Sequence, residues 1–181
     1  MQIFYLKLLH QQAHILSKII HQIWFQGEDE IPPHLNEYRR TWKELNPEFK
    51  MMFWDKQRIE SLVNKTEWSV VYHSSPLMIQ KIDIAKYIIL LEYGGIYIDI
   101  DIKCVKPIRT ILHEGKNVLL SELIHTVIQR VPFVLSGSLN TSQYIINNGI
   151  MGSIPRHLLI RKTLDAVVKN SNSIYKHLDR K

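Results

Sequence analysis

The sequence predicts an α/β fold with a mainly parallel central sheet flanked by helices, and three observations carry that reading. Short β-branched runs alternate along the chain with longer segments of helical periodicity. One long segment, Gln80 to Tyr93, is free of Gly and Pro and apolar on nearly every side, as a helix packed inside a layered fold must be. Directly after Gly94-Gly95 the pattern switches from helical spacing to strict alternation, the mark of a strand.

Residues 1–17 alternate apolar and polar side chains, among them Lys7, His10, Gln11, Gln12 and His14. They read as an amphipathic helix ahead of a single domain over 18–181. They lack the continuous apolar core and small-residue cleavage site of a secretory leader. No run of eighteen apolar residues occurs, so no transmembrane anchor is expected. The expectation is a soluble, cytoplasmic protein, with peripheral contact at a membrane surface as the alternative.

KIIHQIWF, from Lys18 to Phe25, predicts a buried strand. Gly27, Glu28, Asp29, Glu30 and Pro32-Pro33 then mark a loop. Leu35, Tyr38, Trp42 and Leu45 are spaced as one face of a helix that starts at Pro33 and is stopped by Asn46-Pro47. Phe49 to Trp54 predicts a second strand, and Asp55 can cap the helix that follows in DKQRIESLV. After the buried helix, Gly94-Gly95 supplies a left-handed cap. Ile96, Ile98, Ile100 and Ile102 then face one way and Tyr97, Asp99, Asp101 and Lys103 the other, a strand with one apolar side. Further strands are predicted at Asn117 to Leu120 and Gly149 to Ile154, with a last helix from Arg156 to Lys169.

A chain of 181 residues, 45% hydrophobic and 22% charged, suits one globular domain with a substantial core. The single cysteine, Cys104, excludes an intrachain disulfide and reads as a small buried hydrophobe. The net charge of +6 is spread along the chain rather than gathered in a run. It attracts anions in general, and no nucleic-acid partner is expected. His21 sits inside the first strand and reads as a structural hydrogen-bonding residue. His73, His113, His125 and His157 have no ligand-set spacing.

Asp99 and Asp101, at i and i+2 on one strand face, would stand roughly 7 Å apart. Their repulsion is about 1–2 kcal/mol at an intermediate dielectric, which a solvated strand face tolerates. The interleaved isoleucines and the apolar helix before them argue against that plain reading. A hard divalent cation such as Mg²⁺ or Mn²⁺ would turn the repulsion into attraction and could bridge substrate phosphates. Spacing alone leaves phosphotransferase, nuclease and sugar-transfer chemistry open.

With its neighbours included, the run KIDIAKYIILLEYGGIYIDIDIKCVKPI, Lys81 to Ile108, resembles the central motif of the Asp-x-Asp sugar-binding glycosyltransferases. That family, glycosyltransferase family 32, includes mannosyltransferases, and glucosylating bacterial toxins share its core. IIHQIWFQG, from Ile19 to Gly27, is similar to the family's opening strand. Trp42, Asn46-Pro47 and Trp54-Asp55 fall where the family places its Trp, Asn-Pro and Trp-Asp. NNGIMGSIPRHLLI, Asn147 to Ile160, is similar to a late Asn, Ser, Pro and His segment, so the likeness covers about residues 18 to 165.

The resemblance implies a Rossmann-like, nucleotide-sugar-binding fold of the GT-A type. It implies metal-dependent transfer, with Mn²⁺ or Mg²⁺, of a hexose from a UDP- or GDP-sugar to a hydroxyl on a glycan, lipid or protein acceptor, with retention of configuration. By the same resemblance Trp24 would stack on the nucleobase and Asp83 would accept hydrogen bonds from the donor sugar. Tyr97 would contact ribose or base, or else pack. Asp99 and Asp101 would bind the metal and carry catalysis, and Asn148 would face the acceptor side of the sugar. The alternative for Trp24 is an aromatic plug on the first strand, and for Asp83 an intrahelical pair with Lys86.

Four departures qualify the likeness. Lys86 replaces an arginine that would grip oxygens bidentately, which bears on donor binding. Ile82 replaces a serine. Arg156 replaces a glycine, a loop change expected to be of small consequence. The His- and Trp-rich segment that usually follows is absent before Lys181. That leaves a degenerate protein that binds nucleotide sugar without turnover as the second reading.

Overall fold

The computed structural model describes residues 16–110, 112, 118–123 and 145–178, so the expected helix over 1–17 lies almost wholly outside the described residues, as do His113 and His125. Five strands form one sheet: β1 (Ile19–Ile23), β2 (Lys50–Trp54), β3 (Gly95–Ile98), β4 (Val118–Leu123) and β5 (Ile145–Ser153). Their order is β2-β1-β3-β5-β4. β2, β1 and β3 pair in parallel. β5 runs antiparallel to both β3 and β4, so four strands share one direction and only β5 is reversed. The mainly parallel α/β sheet expected from the sequence is what the chain forms.

Five helices connect or flank the strands: α1 (Pro33–Leu45), α2 (Lys56–Val63), α3 (Ser69–Ser74), α4 (Met78–Tyr93) and α5 (Leu158–Leu178). α1 begins with proline at its first turn, where no amide hydrogen is missed. α2 is capped by Asp55, whose carboxylate accepts from Arg58 N at 2.7 Å. α3 has no clear signal in the sequence. Its Val70-Val71-Tyr72 favours a strand by propensity, and burial of Val71 and Tyr72 settles it as a helix.

The two faces of the sheet carry separate cores. His21 and Ile23 point toward α4, and one cluster joins Ile23, Trp54 and Tyr97 to residues of α2, α3, α4 and α5. Ile20, Ile96 and Ile98 point the other way, toward Trp42 of α1, Phe49, Cys104 and Ile108. α4 buries Ile84, Ala85, Lys86, Ile88, Ile89, Leu90 and Leu91, as expected for a helix apolar on most sides.

Two expectations are corrected. The alternating segment is a strand only as far as Ile98, and every residue of β3 is buried. A central strand covered on both faces has no solvated side. Beyond it, Ile102 N donates to Asp99 O at 3.2 Å, so Asp99 to Ile102 form a turn and the two acids do not share a strand face. The last helix starts at Leu158, not at Arg156, which adopts φ 58. That left-handed backbone favours glycine, so Arg156 carries strain there.

Candidate donor-sugar site

The turn after β3 lies beyond the carboxyl ends of the parallel strands, where α/β sheets gather ligands. Two anchors fix it. Asp99 N donates to Gly149 O of β5 at 2.7 Å. On the other side α1 clamps the outgoing chain. Trp42 Nε1 donates to Ile102 O at 2.6 Å, and Thr41 Oγ1 accepts from Cys104 N at 2.9 Å. Buried Asn46 accepts from Ile108 N at 2.7 Å and donates to Trp42 O at 3.0 Å. Trp42 and Asn46 therefore hold the acidic turn, a role that spacing in the sequence did not reveal.

α4 supplies the opposite wall. Lys86 is 3% exposed, and its ammonium lies 3.3 Å from Asp83 Oδ1 and 3.0 Å from Asp99 Oδ1. It also sits 4.9 Å from the centre of the Tyr97 ring. Tyr97 OH donates to Asp99 Oδ1 at 2.7 Å, and Asn148 Nδ2 donates to Asp83 Oδ1 at 2.9 Å. Burial first, then the charge of Asp99, pushes the Tyr97 phenol well above its ordinary value, so it stays a neutral donor. Five of the residues predicted from sequence thus form one network. The intrahelical Asp83–Lys86 pair considered as an alternative is present, but as one leg of a bridge between two elements.

Tyr97 is 1% exposed. Asp101 is exposed and has no partner among the described residues. Trp24, just past β1, is partly buried and donates from Nε1 to Glu30 O at 3.2 Å, with no direct contact to the acid network.

Asp83 and Asp99 share one lysine and Asp101 stands exposed two residues beyond Asp99, so these four side chains carry a surplus of two negative charges. Hard oxygen donors and surplus negative charge fit Mg²⁺ or Mn²⁺. Among the described residues no group of three or more His, Cys, Asp or Glu side chains is arranged to hold an ion. The carboxylates alone would leave most of a cation's coordination to phosphate and water.

His21 meets the structural expectation. Trp54 Nε1 donates to His21 Nδ1 at 3.1 Å, so the ring proton resides on Nε2, 2.8 Å from Gly94 O. Burial lowers its pKa to about 4, against a smaller opposing effect of the Gly94 hydrogen bond. This neutral ring ties β1 to the end of α4. Gly94 and Gly95 beside it have φ 62 and 88. A Cβ at Gly94 would lie 2.5 Å from Pro155 Cδ, and one at Gly95 would lie 2.6 Å from Ile19 O.

Residues 32–118 match the family model of the glycosyltransferase sugar-binding region containing the DXD motif. Over these residues the chain therefore matches the sugar-binding region of DXD-motif glycosyltransferases, as the resemblance implied. Over 159 residues it is 31% identical to a protein of Acanthamoeba polyphaga mimivirus named as an uncharacterized glycosyltransferase, covering 86% of this chain and 55% of that one. It is 33% identical over 111 residues to inositol phosphoceramide mannosyltransferase 1 of Schizosaccharomyces pombe, covering 59% of this chain and 34% of that one. The chain spans about half or less of these relatives' lengths. Among solved structures, the PaToxG glycosyltransferase superposes with a TM-score of 0.57 at 18% identity, over 94% of this chain and 70% of that one. That likeness confirms the fold. No helix among the described residues is long and apolar enough to cross a membrane.

Proposed function

We propose that the chain is a metal-dependent, retaining hexosyltransferase that uses a UDP- or GDP-sugar and a hydroxyl acceptor. The observation that carries this reading is the network of Asp83, Lys86, Tyr97, Asp99 and Asn148 at the carboxyl end of β3, with unpartnered Asp101 beside it. Asp83 would accept from donor-sugar hydroxyls, with Asn148 orienting its carboxylate and facing the acceptor side. Lys86 holds Asp83 and Asp99 at fixed separation. Tyr97, too buried to reach ribose, fixes Asp99. Trp24 would stack on the base at the end of β1. Asp99 and Asp101 would hold Mn²⁺ or Mg²⁺, which when bound supplies neutralisation of the leaving diphosphate.

The yeast relative is named for transfer to inositol phosphoceramide. An acceptor with an apolar part suits a largely apolar cavity of about 410 Å³ between α3, α4 and α5. Val71, Pro76, Ile84 and Val167 line it together with Asp83. A larger cavity, about 580 Å³, lies between α2, β2 and the end of α4, away from the acids. It has no place in this proposal.

A panel of nucleotide sugars incubated with Mn²⁺, read by release of free UDP and GDP, tests the activity. Asp101→Ala should lower the rate at least roughly a hundredfold, the scale of losing one electrostatic stabiliser of the transition state. No turnover with any donor sinks the enzyme reading. Binding without turnover favours a degenerate site in which Lys86 permanently bridges Asp83 and Asp99. Calorimetry showing metal-independent UDP binding would remove the proposed role of Asp99 and Asp101.

A further inference from the structure

A second polar cavity lies at the free edge of β2, beneath the loop that follows β1. It holds about 330 Å³ and is lined by Gln22, Glu28, Arg39, Lys50, Phe53 and Arg58 among others. Gln22 points to the face opposite His21 and Tyr97, and no residue of the acidic site lines this cavity, so the two are separate.

Two features make this cavity a candidate binding site. Gln22 is 1% exposed, yet neither its amide nitrogen nor its amide oxygen has a hydrogen-bond partner. Buried polar groups are ordinarily satisfied, and an unpaired primary amide deep in a strand is a rare exception. Arg39 Nε is likewise buried and unpartnered. The rest of that guanidinium is held in place: Nη2 contacts Glu28 at 2.7 Å, Nη1 donates to Asn36 at 3.1 Å, and the group lies 5.0 Å over the Phe53 ring. The second feature is charge. Arg39, Lys50 and Arg58 line the cavity against Glu28 alone, which leaves two positive charges in excess.

We propose that this cavity binds the phosphate ester of a small polyol. The phosphate oxygens would take the free Arg39 Nε–H, the Lys50 ammonium and the Gln22 amide N–H, all of which prefer an oxyanion. A hydroxyl of the polyol would donate to the Gln22 carbonyl. The same chemistry is offered by a soluble sugar or glycerol phosphate and by the headgroup of a phosphoinositide-type lipid.

The test uses the full chain with EDTA present, so that a metal-dependent donor site stays silent. Isothermal titration with glycerol 3-phosphate should show saturable binding. Arg39→Gln and Lys50→Gln should each weaken it at least tenfold. Lys50 is exposed, so its variant keeps the fold even if a change at Gln22 does not. Asp101→Ala should bind as tightly as the parent. Sedimentation with phosphatidylcholine vesicles, with and without phosphatidylinositol, separates the two sources. Capture only by the phosphatidylinositol vesicles assigns the ligand to a lipid headgroup, and binding of glycerol 3-phosphate assigns it to a soluble ester. Absence of saturable binding in both arms means that water fills the cavity and overturns the proposal. Binding untouched by Arg39→Gln and Lys50→Gln overturns it equally.

Discussion

Lys86 holds a buried ammonium between Asp83 and Asp99, at 3.3 and 3.0 Å, and packs against the Tyr97 ring. Removing a cation from a buried pair leaves uncompensated carboxylates, and such changes cost about 3–5 kcal/mol where both partners are fully buried. Here Asp83 and Asp99 are 39% and 33% exposed, so water screens part of that loss. Lys86→Met should therefore destabilise by about 2 kcal/mol, read as a lowered urea midpoint with unchanged slope. Lys86→Arg should keep most of the stability while changing donor affinity, because a planar fork contacts the same oxygens differently. An undiminished midpoint for Lys86→Met would show that Lys86 does not balance these acids. The motif made Asp83, Asp99 and Asp101 legible in the sequence. It could not show that Lys86 spans two of them, since that contact depends on how α4 lies across β3.

At the scale of elements, the junctions around α4 decide where the site stands. Arg156 enters α5 with φ 58, while its N–H donates to Leu91 O at 2.7 Å and binds that turn to α4. Left-handed backbone costs a Cβ-bearing residue about 1–2 kcal/mol, whereas glycine brings an unfolded-state entropy cost of about 0.5–1 kcal/mol. Arg156→Gly should raise stability by about 0.5 kcal/mol, and Arg156→Val should lower it by about 1 kcal/mol. Gly94→Ala, with Pro155 in the way of its Cβ, should lower stability by at least about 2 kcal/mol. Thermal melts of the three variants give the order directly, and a destabilised Arg156→Gly would refute the strain argument. Alternation and capping signals placed most elements within a few residues, β1, α1, β2 and α2 among them. The same alternation overran β3, because isoleucines continue past Ile98 into a turn whose shape is imposed by Trp42, Thr41 and Asn46 some sixty residues earlier. No local pattern records such a constraint.

For the whole molecule, the first and second strands and the end of α4 converge on His21, and its protonation couples all three to pH. The ring accepts from Trp54 at Nδ1 and faces Gly94 O through Nε2, so both nitrogens are committed and the added proton has no acceptor. Its folded-state pKa falls from 6.5 to about 4. A chain unfolded at pH 5 binds a proton at His21 that the folded chain refuses, so acid favours unfolding through this residue. The stabilising contribution is fully present above about pH 6.5 and is lost as pH falls toward about 4. The full difference corresponds to roughly 3 kcal/mol, of which about 2 kcal/mol is gone by pH 5. Urea titrations of the parent and of His21→Gln at pH 7 and pH 5 isolate it from the carboxylates common to both proteins. The parent should lose about 2 kcal/mol more than the variant between these pH values. Equal losses would mean that His21 is protonated as readily in the folded chain as in the unfolded one, and that the neutral ring does not tie β1 to the end of α4.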